Sequence, residues 1–204
     1  YIKPSDVPDR AAYKWLSRGL EEAMLAFQAQ AVDETYAIRA AVYELTWQPA
    51  LQGFADAIDR GADSLMLPMF ESHDELARFF DLVDGRAQVV PLVETHAALR
   101  EIPIFIDRLP LEQLHIGLND LHIDMGLNFM LEPISNGILE EPCAALRAAK
   151  VPFGIGGIAR VGEGGVNPEH LLGEHARLGS SGAILSRTFH RGATTLDELV
   201  AAID

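Results

Sequence analysis

The hydrophobic positions along the chain switch between a helical and a strand spacing at regular intervals after residue 50. In "PALQGFADAIDRGA", Leu51, Phe54 and Ile58 recur one turn apart, as on one face of a helix. The run "DSLMLPMF" that follows is apolar at nearly every position. Such a run is typical of a parallel strand that is buried on both faces. This stretch therefore predicts a helix followed by a buried strand.

The same alternation continues to the end of the chain. It predicts strands at 64–70, 89–95, 114–120 and 153–158 and in "GAILSR". Helices are predicted in "SHDELARFFDLVDG", "EEPCAALRAAK", "NPEHLLGEHARLG" and "TTLDELVAAID". Ser72 followed by Glu75 has the pattern of a capping box, and Gly179 closes a helix. Strands that alternate with helices through short links indicate a parallel sheet with right-handed crossovers.

Two architectures fit this order, an open doubly wound sheet and a closed (β/α)₈ barrel. No GxGxxG follows a first strand, and the predicted strands end in "PMFES", "VETH", "GLND" and "GIGGIAR". Polar or glycine residues at the carboxyl end of each strand are typical of a barrel. We predict an α/β fold, a TIM-type barrel formed by residues 1–204 as a single domain. Residues 1–46 are atypical, with one or two helices and a strand at 41–46, so this portion is compact or incomplete.

Composition excludes several classes of function. A net charge of −14 repels the phosphate backbone of nucleic acids. No apolar run approaches the roughly 18 residues of a membrane span, and no signal-peptide pattern begins the chain. The single cysteine, Cys143, fits a reducing cytoplasm and a buried structural role. We expect a cytoplasmic protein without nucleic-acid or membrane partners, in which an anionic substrate requires local positive charge or backbone amides.

Two acids follow apolar strands one βα unit apart, Glu94 in "PLVETH" and Asp120 in "HIGLND". Neighbouring parallel strands lie about 4.8 Å apart, so carboxylates at matching heights can share one cation. Oxygen-only ligands suit Mg²⁺ or Mn²⁺ better than zinc. The alternative is that each acid only caps the helix that follows it.

The segments "GADSLMLPMFES", "VVPLVETHAAL" and "HIGLNDLHIDMGL" resemble the HpcH/HpaI aldolase and citrate lyase β-subunit family of the phosphoenolpyruvate/pyruvate barrel superfamily, over about residues 48–190. The resemblance implies a class II aldolase or lyase, in which Glu94 and Asp120 bind a divalent metal that stabilises the enolate of a pyruvate-like 2-oxo acid. It implies a 2-oxo acid or aldehyde substrate and a homo-oligomer, a trimer or hexamer. The amides implied for the substrate carboxylate are those of Gly117, Leu118 and Asn119.

Part of the family's pattern is missing. Alignment on Trp47 puts Glu44 where the family has an arginine, and the family's "DxEH" histidine is not found. Glu44 would then meet a substrate hydroxyl or amine. The base would be His122 or His96, each two residues past a proposed metal ligand. The alternative function is a non-catalytic barrel that binds a metal or an anionic ligand. We expect no chemistry from His115, which lies inside a strand pattern.

The glycines near the end of the chain suggest an anion site. Gly156 and Gly157, with Arg160 as counter-charge, are candidates to bind an anionic group of the substrate. If the two acids were only helix caps, the same glycines would indicate a phosphate-binding isomerase or synthase barrel. "GSSG" at 179–182 precedes its strand and is therefore predicted to be a helix end and turn.

Overall fold

The computed structural model describes residues 48–159, 166–186, 189 and 195–201. The predicted strand at 41–46, Glu44 and Arg160 lie outside the described residues. The elements in chain order are α1 Gln48–Asp59, β1 Ser64–Leu67, α2 His73–Val83, β2 Gln88–Val93, α3 His96–Arg108, β3 Leu114–Ile116, α4 Leu118–Asp124, α5 Glu132–Ser135, α6 Glu140–Ala148, β4 Phe153–Ile158, α7 Pro168–Leu178, β5 Gly182–Leu185 and α8 Leu196–Val200.

The five described strands form one sheet in the order β1-β2-β3-β4-β5, and every neighbouring pair is parallel. A doubly wound sheet reverses its strand order at a switch point, whereas this sheet always adds the next strand on the same side. Right-handed crossovers in one direction put the connecting helices on one face of the sheet. This arrangement is an arc of a (β/α)₈ barrel and confirms the predicted fold class.

The two faces of the sheet have different surroundings. Val93, Ile116 and Ile155 are aligned across three strands, and all three belong to the hydrophobic core that the sheet shares with the helices. Successive side chains of a strand point to opposite faces, so Leu92 and its partner His115 lie on the other face. We call this the inner face. Glu94, two residues after Leu92, continues it at the carboxyl edge of the sheet.

Several element ends differ from the prediction: β1 ends at Leu67 and not at residue 70, and β2 runs from Gln88 to Val93 and not from 89 to 95. The predicted strand 114–120 is wrong in its last four residues: β3 ends at Ile116, Gly117 is the N-cap residue, and α4 begins at Leu118. Leu118 and Leu121 are three residues apart and both buried, which fits a helix better than a strand. Helix α3, which is not among the helices predicted from the sequence, runs through Pro103 to Arg108.

Predicted helix ends and the cysteine agree with the structure. The Ser72 side chain accepts a hydrogen bond from the Glu75 amide at 3.4 Å, and Gly179 ends α7 with a φ of 81°. Cys143 is buried, and burial raises the pKa of its thiol to about 12, so the thiol stays protonated. Among the helices that the structure describes, none has the length and apolar character needed to cross a membrane.

Candidate functional site

The carboxyl ends of β2 and β3 bring two acids together. The Gly117 amide donates to the Val93 carbonyl at 2.9 Å, which extends the pairing of the two strands by one residue and places Glu94 beside Gly117. Helix α4 begins directly after Gly117, and Asp120 lies in its first turn. The side chains of Glu94 and Asp120 are close enough to interact, because both the charge of Asp120 and a hydrogen-bonding contact with it raise the pKa of Glu94. We call these two residues the carboxyl pair.

Gly117 leaves the space that the Glu94 side chain occupies. A Cβ atom at position 117 would lie 2.6 Å from both Cγ and Oε1 of Glu94. This separation is well below a van der Waals contact, so any larger residue would displace the carboxyl group. The glycine in "HIGLND" is therefore required by the Glu94 side chain of the neighbouring strand.

The surroundings of Glu94 disfavour its charge. Its exposed fraction is 8%, and its pKa is raised to about 7. Desolvation is the main cause, and the charge of Asp120 and the hydrogen bond to Asp120 raise the pKa further. The Met69 amide, from the loop after β1, donates to Glu94 and opposes this rise. A cation between the two carboxyl groups would remove the repulsion that raises the pKa.

Neither acid caps a helix through its side chain. Thr95 is the N-cap residue of α3, where its hydroxyl accepts from the Ala98 amide at 3.1 Å. Gly117 is the N-cap residue of α4, and no side chain bonds there. The alternative that Glu94 and Asp120 are only helix caps is therefore wrong, because other residues occupy both cap positions.

A second set of contacts fixes the start of α3. The Thr95 hydroxyl donates to the Phe70 carbonyl at 2.8 Å, which ties β2 to the loop after β1. The Asp124 carboxylate accepts from the His96 amide at 2.7 Å, which ties α4 to α3. Asp124 is not among the site residues predicted from the sequence. Its spacing of four residues from Asp120, which places both acids on one face of α4, is the signal that could have found it.

The two candidate bases lie on two helices, His122 on α4 and His96 at the start of α3. His122 follows Asp120 by two residues, and residues two apart point to opposite sides of a helix. His122 shares its side of α4 with Leu118, one turn earlier, which packs beside Gly156 of β4. Within the described part of the chain, His122 Nδ1 is buried without a hydrogen-bond partner. His96 is exposed at the start of α3. His122 therefore lies on the side of α4 opposite to Asp120.

The candidate anion site lies on the β4 side of α4. Gly156 has a φ of 47°, and the pairing of β4 with β5 shifts register between Gly154 and Gly157. A Cβ atom at Gly156 would lie 2.7 Å from Leu118 Cδ1, so this glycine allows α4 to approach β4. Gly156 thus lies beside the helix that carries Asp120, whereas a Cβ atom at Gly157 would meet the Ile184 carbonyl oxygen of β5 at 3.2 Å.

The ligand chemistry of the carboxyl pair fits a hard cation. In the ranges that the structure describes, no cluster of three or more His, Cys, Asp or Glu side chains could hold a metal. Mg²⁺ is commonly bound through one or two carboxylates while it keeps several waters. Zinc usually takes histidine or cysteine ligands, and in structural sites all four of its ligands come from the protein. The residues present therefore suit Mg²⁺ or Mn²⁺.

Comparison with known proteins supports the fold. No family model and no curated protein matches the sequence. The structure is similar to RipC from Yersinia pestis, with a TM-score of 0.62 and 17% identity over 90% of this chain and 81% of RipC. It is similar to macrophomate synthase, with a TM-score of 0.53 and 15% identity over 81% of this chain and 66% of that chain. For the HpcH/HpaI aldolase from Desulfitobacterium hafniense DCB-2 the TM-score is 0.51, with 11% identity over 81% of each chain.

These likenesses place the chain among α/β barrels of the kind found in HpcH/HpaI aldolases. The resemblance noted from the sequence motifs is confirmed at the level of the fold. Identities of 11–17% carry no residue roles from these proteins to this chain.

Proposed function

We propose that the protein is a divalent-metal-dependent lyase of the aldolase type, which makes or breaks a carbon–carbon bond next to a 2-oxo acid. The observation that carries this proposal is the carboxyl pair, Glu94 and Asp120, at the carboxyl edge of a barrel sheet. In α/β barrels this edge is where active sites lie.

The burial of Glu94 supports a role for the pair in binding. Two acids in hydrogen-bonding contact, one of them 8% exposed, cost stability when both are ionised. Helix capping does not explain why the two acids lie together, since other residues occupy both N-cap positions. Perturbed carboxyl groups on one edge of a sheet are instead a common feature of functional sites.

Each residue has a proposed part in the chemistry. Glu94 and Asp120 hold Mg²⁺ or Mn²⁺ through their carboxylate oxygens. The cation, when bound, would supply positive charge next to the enolate of the 2-oxo acid. Because the Gly117 amide already bonds to Val93, we assign the substrate carboxylate to the amides of Leu118 and Asn119. These two amides start α4 and have no acceptor in a preceding turn.

The experiment combines metal binding with proton exchange. Mn²⁺ affinity is measured by electron paramagnetic resonance, and exchange at C3 of pyruvate is followed in D₂O by NMR. We expect the wild-type protein to bind Mn²⁺ and to catalyse exchange only with metal. Asp120→Asn is expected to lose at least ~100-fold in Mn²⁺ affinity. Removal of a residue that only hydrogen-bonds to a metal ligand typically costs about 10- to 100-fold, and removal of a direct ligand should cost more. Asp81→Asn is the matched control, since Asp81 is exposed on α2.

Three outcomes separate the alternatives. Metal binding without exchange would favour the non-catalytic barrel. Unchanged Mn²⁺ affinity in Asp120→Asn would remove the carboxyl pair from the metal site. Exchange by a rigorously metal-free sample would refute metal-dependent chemistry.

A further inference from the structure

His115 is a buried polar residue on the inner face, one layer below the carboxyl pair. Its exposed fraction is 7%, and its Nε2 lies 3.1 Å from the Gly156 carbonyl oxygen. A Cβ atom at Gly154 would overlap the Nδ1 side of the ring. In strand β4, Gly154 leaves room for the imidazole ring, and the Gly156 carbonyl oxygen accepts a hydrogen bond from it.

The contact with Gly156 defines the state of the ring. A carbonyl oxygen only accepts hydrogen bonds, so Nε2 carries the proton. Burial lowers the pKa of His115, the hydrogen bond to Gly156 opposes this, and the charge of His175 lowers it further. His115 is therefore a neutral imidazole with its proton on Nε2 at neutral pH.

The bond acts on an irregular part of β4. Gly156 has a φ of 47°, which glycine adopts readily, and it lies where the register with β5 shifts. The His115 bond fixes the Gly156 carbonyl on one side, and Leu118 fills the space beside Gly156 on the other. His115, Gly156 and Leu118 therefore form one chain of contacts from the inner face to the start of α4.

We propose that His115 is a positioning residue, whose Nε2–H holds the Gly156 carbonyl and thereby the position of Leu118, whose amide is assigned to the substrate carboxylate. This inference rests on the proposed function, because the substrate is the 2-oxo acid assigned to that site. Metal binding is expected to be independent of His115, because Gly117 leaves the space for the Glu94 side chain and a backbone hydrogen bond from Met69 acts on its carboxyl group. The variant should therefore affect substrate binding and spare metal binding.

The test compares His115→Leu, which removes the donor, with His115→Gln, whose amide nitrogen extends about as far as Nε2. Loss of one buried hydrogen bond corresponds to roughly a tenfold change in an equilibrium constant. We expect His115→Leu to raise KM for pyruvate in the exchange assay about tenfold, with kcat and Mn²⁺ affinity within about twofold of wild type. His115→Gln should restore KM to within about threefold.

Two results in this assay would overturn the proposal. An unchanged KM in His115→Leu, with or without lower kcat, would show that the residue only supports folding. An equal rise of KM in both variants would show that ring shape matters and the donor does not.

A second readout does not depend on activity. If the wild-type protein catalyses no exchange, the proposed function fails, and the positioning of β4 is judged by ¹⁵N NMR. The amide resonances of Gly156, Gly157 and Leu118 should shift in His115→Leu and stay near their wild-type positions in His115→Gln. Unchanged resonances in His115→Leu would refute the inference about the strand.

Discussion

Replacement of Glu94 by glutamine should stabilise the metal-free protein at alkaline pH and have little effect at acidic pH. The pKa of Glu94 in the folded protein is about 7, compared with an ordinary value of 4.5. Between these two values the folded state binds more protons than the unfolded state, so stability falls as pH rises through this window. This difference in pKa, at about 1.4 kcal/mol per pKa unit, predicts that the free energy of unfolding falls by about 3 kcal/mol by pH 8. Glutamine has the same shape and no charge, so the variant avoids this loss.

Urea unfolding of chelator-treated protein at pH 5 and pH 8 measures the effect. The free energy of unfolding should fall between the two pH values by about 2–3 kcal/mol more in the wild type than in Glu94→Gln. Glu112→Gln, which changes an exposed acid, is the control and should behave as the wild type. Added Mg²⁺ should stabilise the wild type at pH 8 and leave Glu94→Gln unchanged. A parallel pH dependence in wild type and Glu94→Gln would refute the reasoning.

Three further substitutions test the contacts around the site. Gly117→Ala should weaken Mn²⁺ binding by at least ~10-fold in paramagnetic resonance titrations, because its Cβ would meet Glu94 at 2.6 Å. Gly173→Ala is the control, since a Cβ atom there meets nothing within 4 Å. Equal Mn²⁺ affinities in the two variants would contradict this prediction. Asp124→Ala should lower the free energy of unfolding in urea by about 1–2 kcal/mol relative to Asp81→Ala, because it removes the 2.7 Å bond to the start of α3; no difference would exclude a stabilising role. Thr95→Val should cost about 2 kcal/mol in the same assay, because it removes two hydrogen bonds of one buried hydroxyl, and a cost below ~0.5 kcal/mol would argue against them.

Much of the fold followed from the spacing of apolar residues. Strand β4 and the end of α7 at Gly179 were predicted to the residue, because glycine and a change of period mark their limits. The start of α4 was not, since Leu118 continues the alternation of Leu114 and Ile116 and looks like one more strand position. Only the packing of Leu118 on β4 distinguishes the two.

The candidate site divides in the same way. The meeting of Glu94 and Asp120 was predicted because adjacent parallel strands end at one edge. The orientation of His122, on the side of α4 opposite to Asp120, was not predicted, because it depends on the helical geometry between residues 120 and 122. The environment of His115 was also missed, since a histidine inside a strand pattern gives no sign of the carbonyl that faces it.

Three large side chains in this structure each lie over a glycine of the next strand or segment. Glu94 lies over Gly117, His115 over Gly154 and Leu118 over Gly156. The two residues of each pair therefore share one space, so a larger side chain at one position requires a smaller side chain at the other. Substitutions within a pair should be strongly non-additive, whereas substitutions in different pairs combine more independently. For redesign of this barrel, the sensible library varies both members of a pair together and leaves the other pairs unchanged.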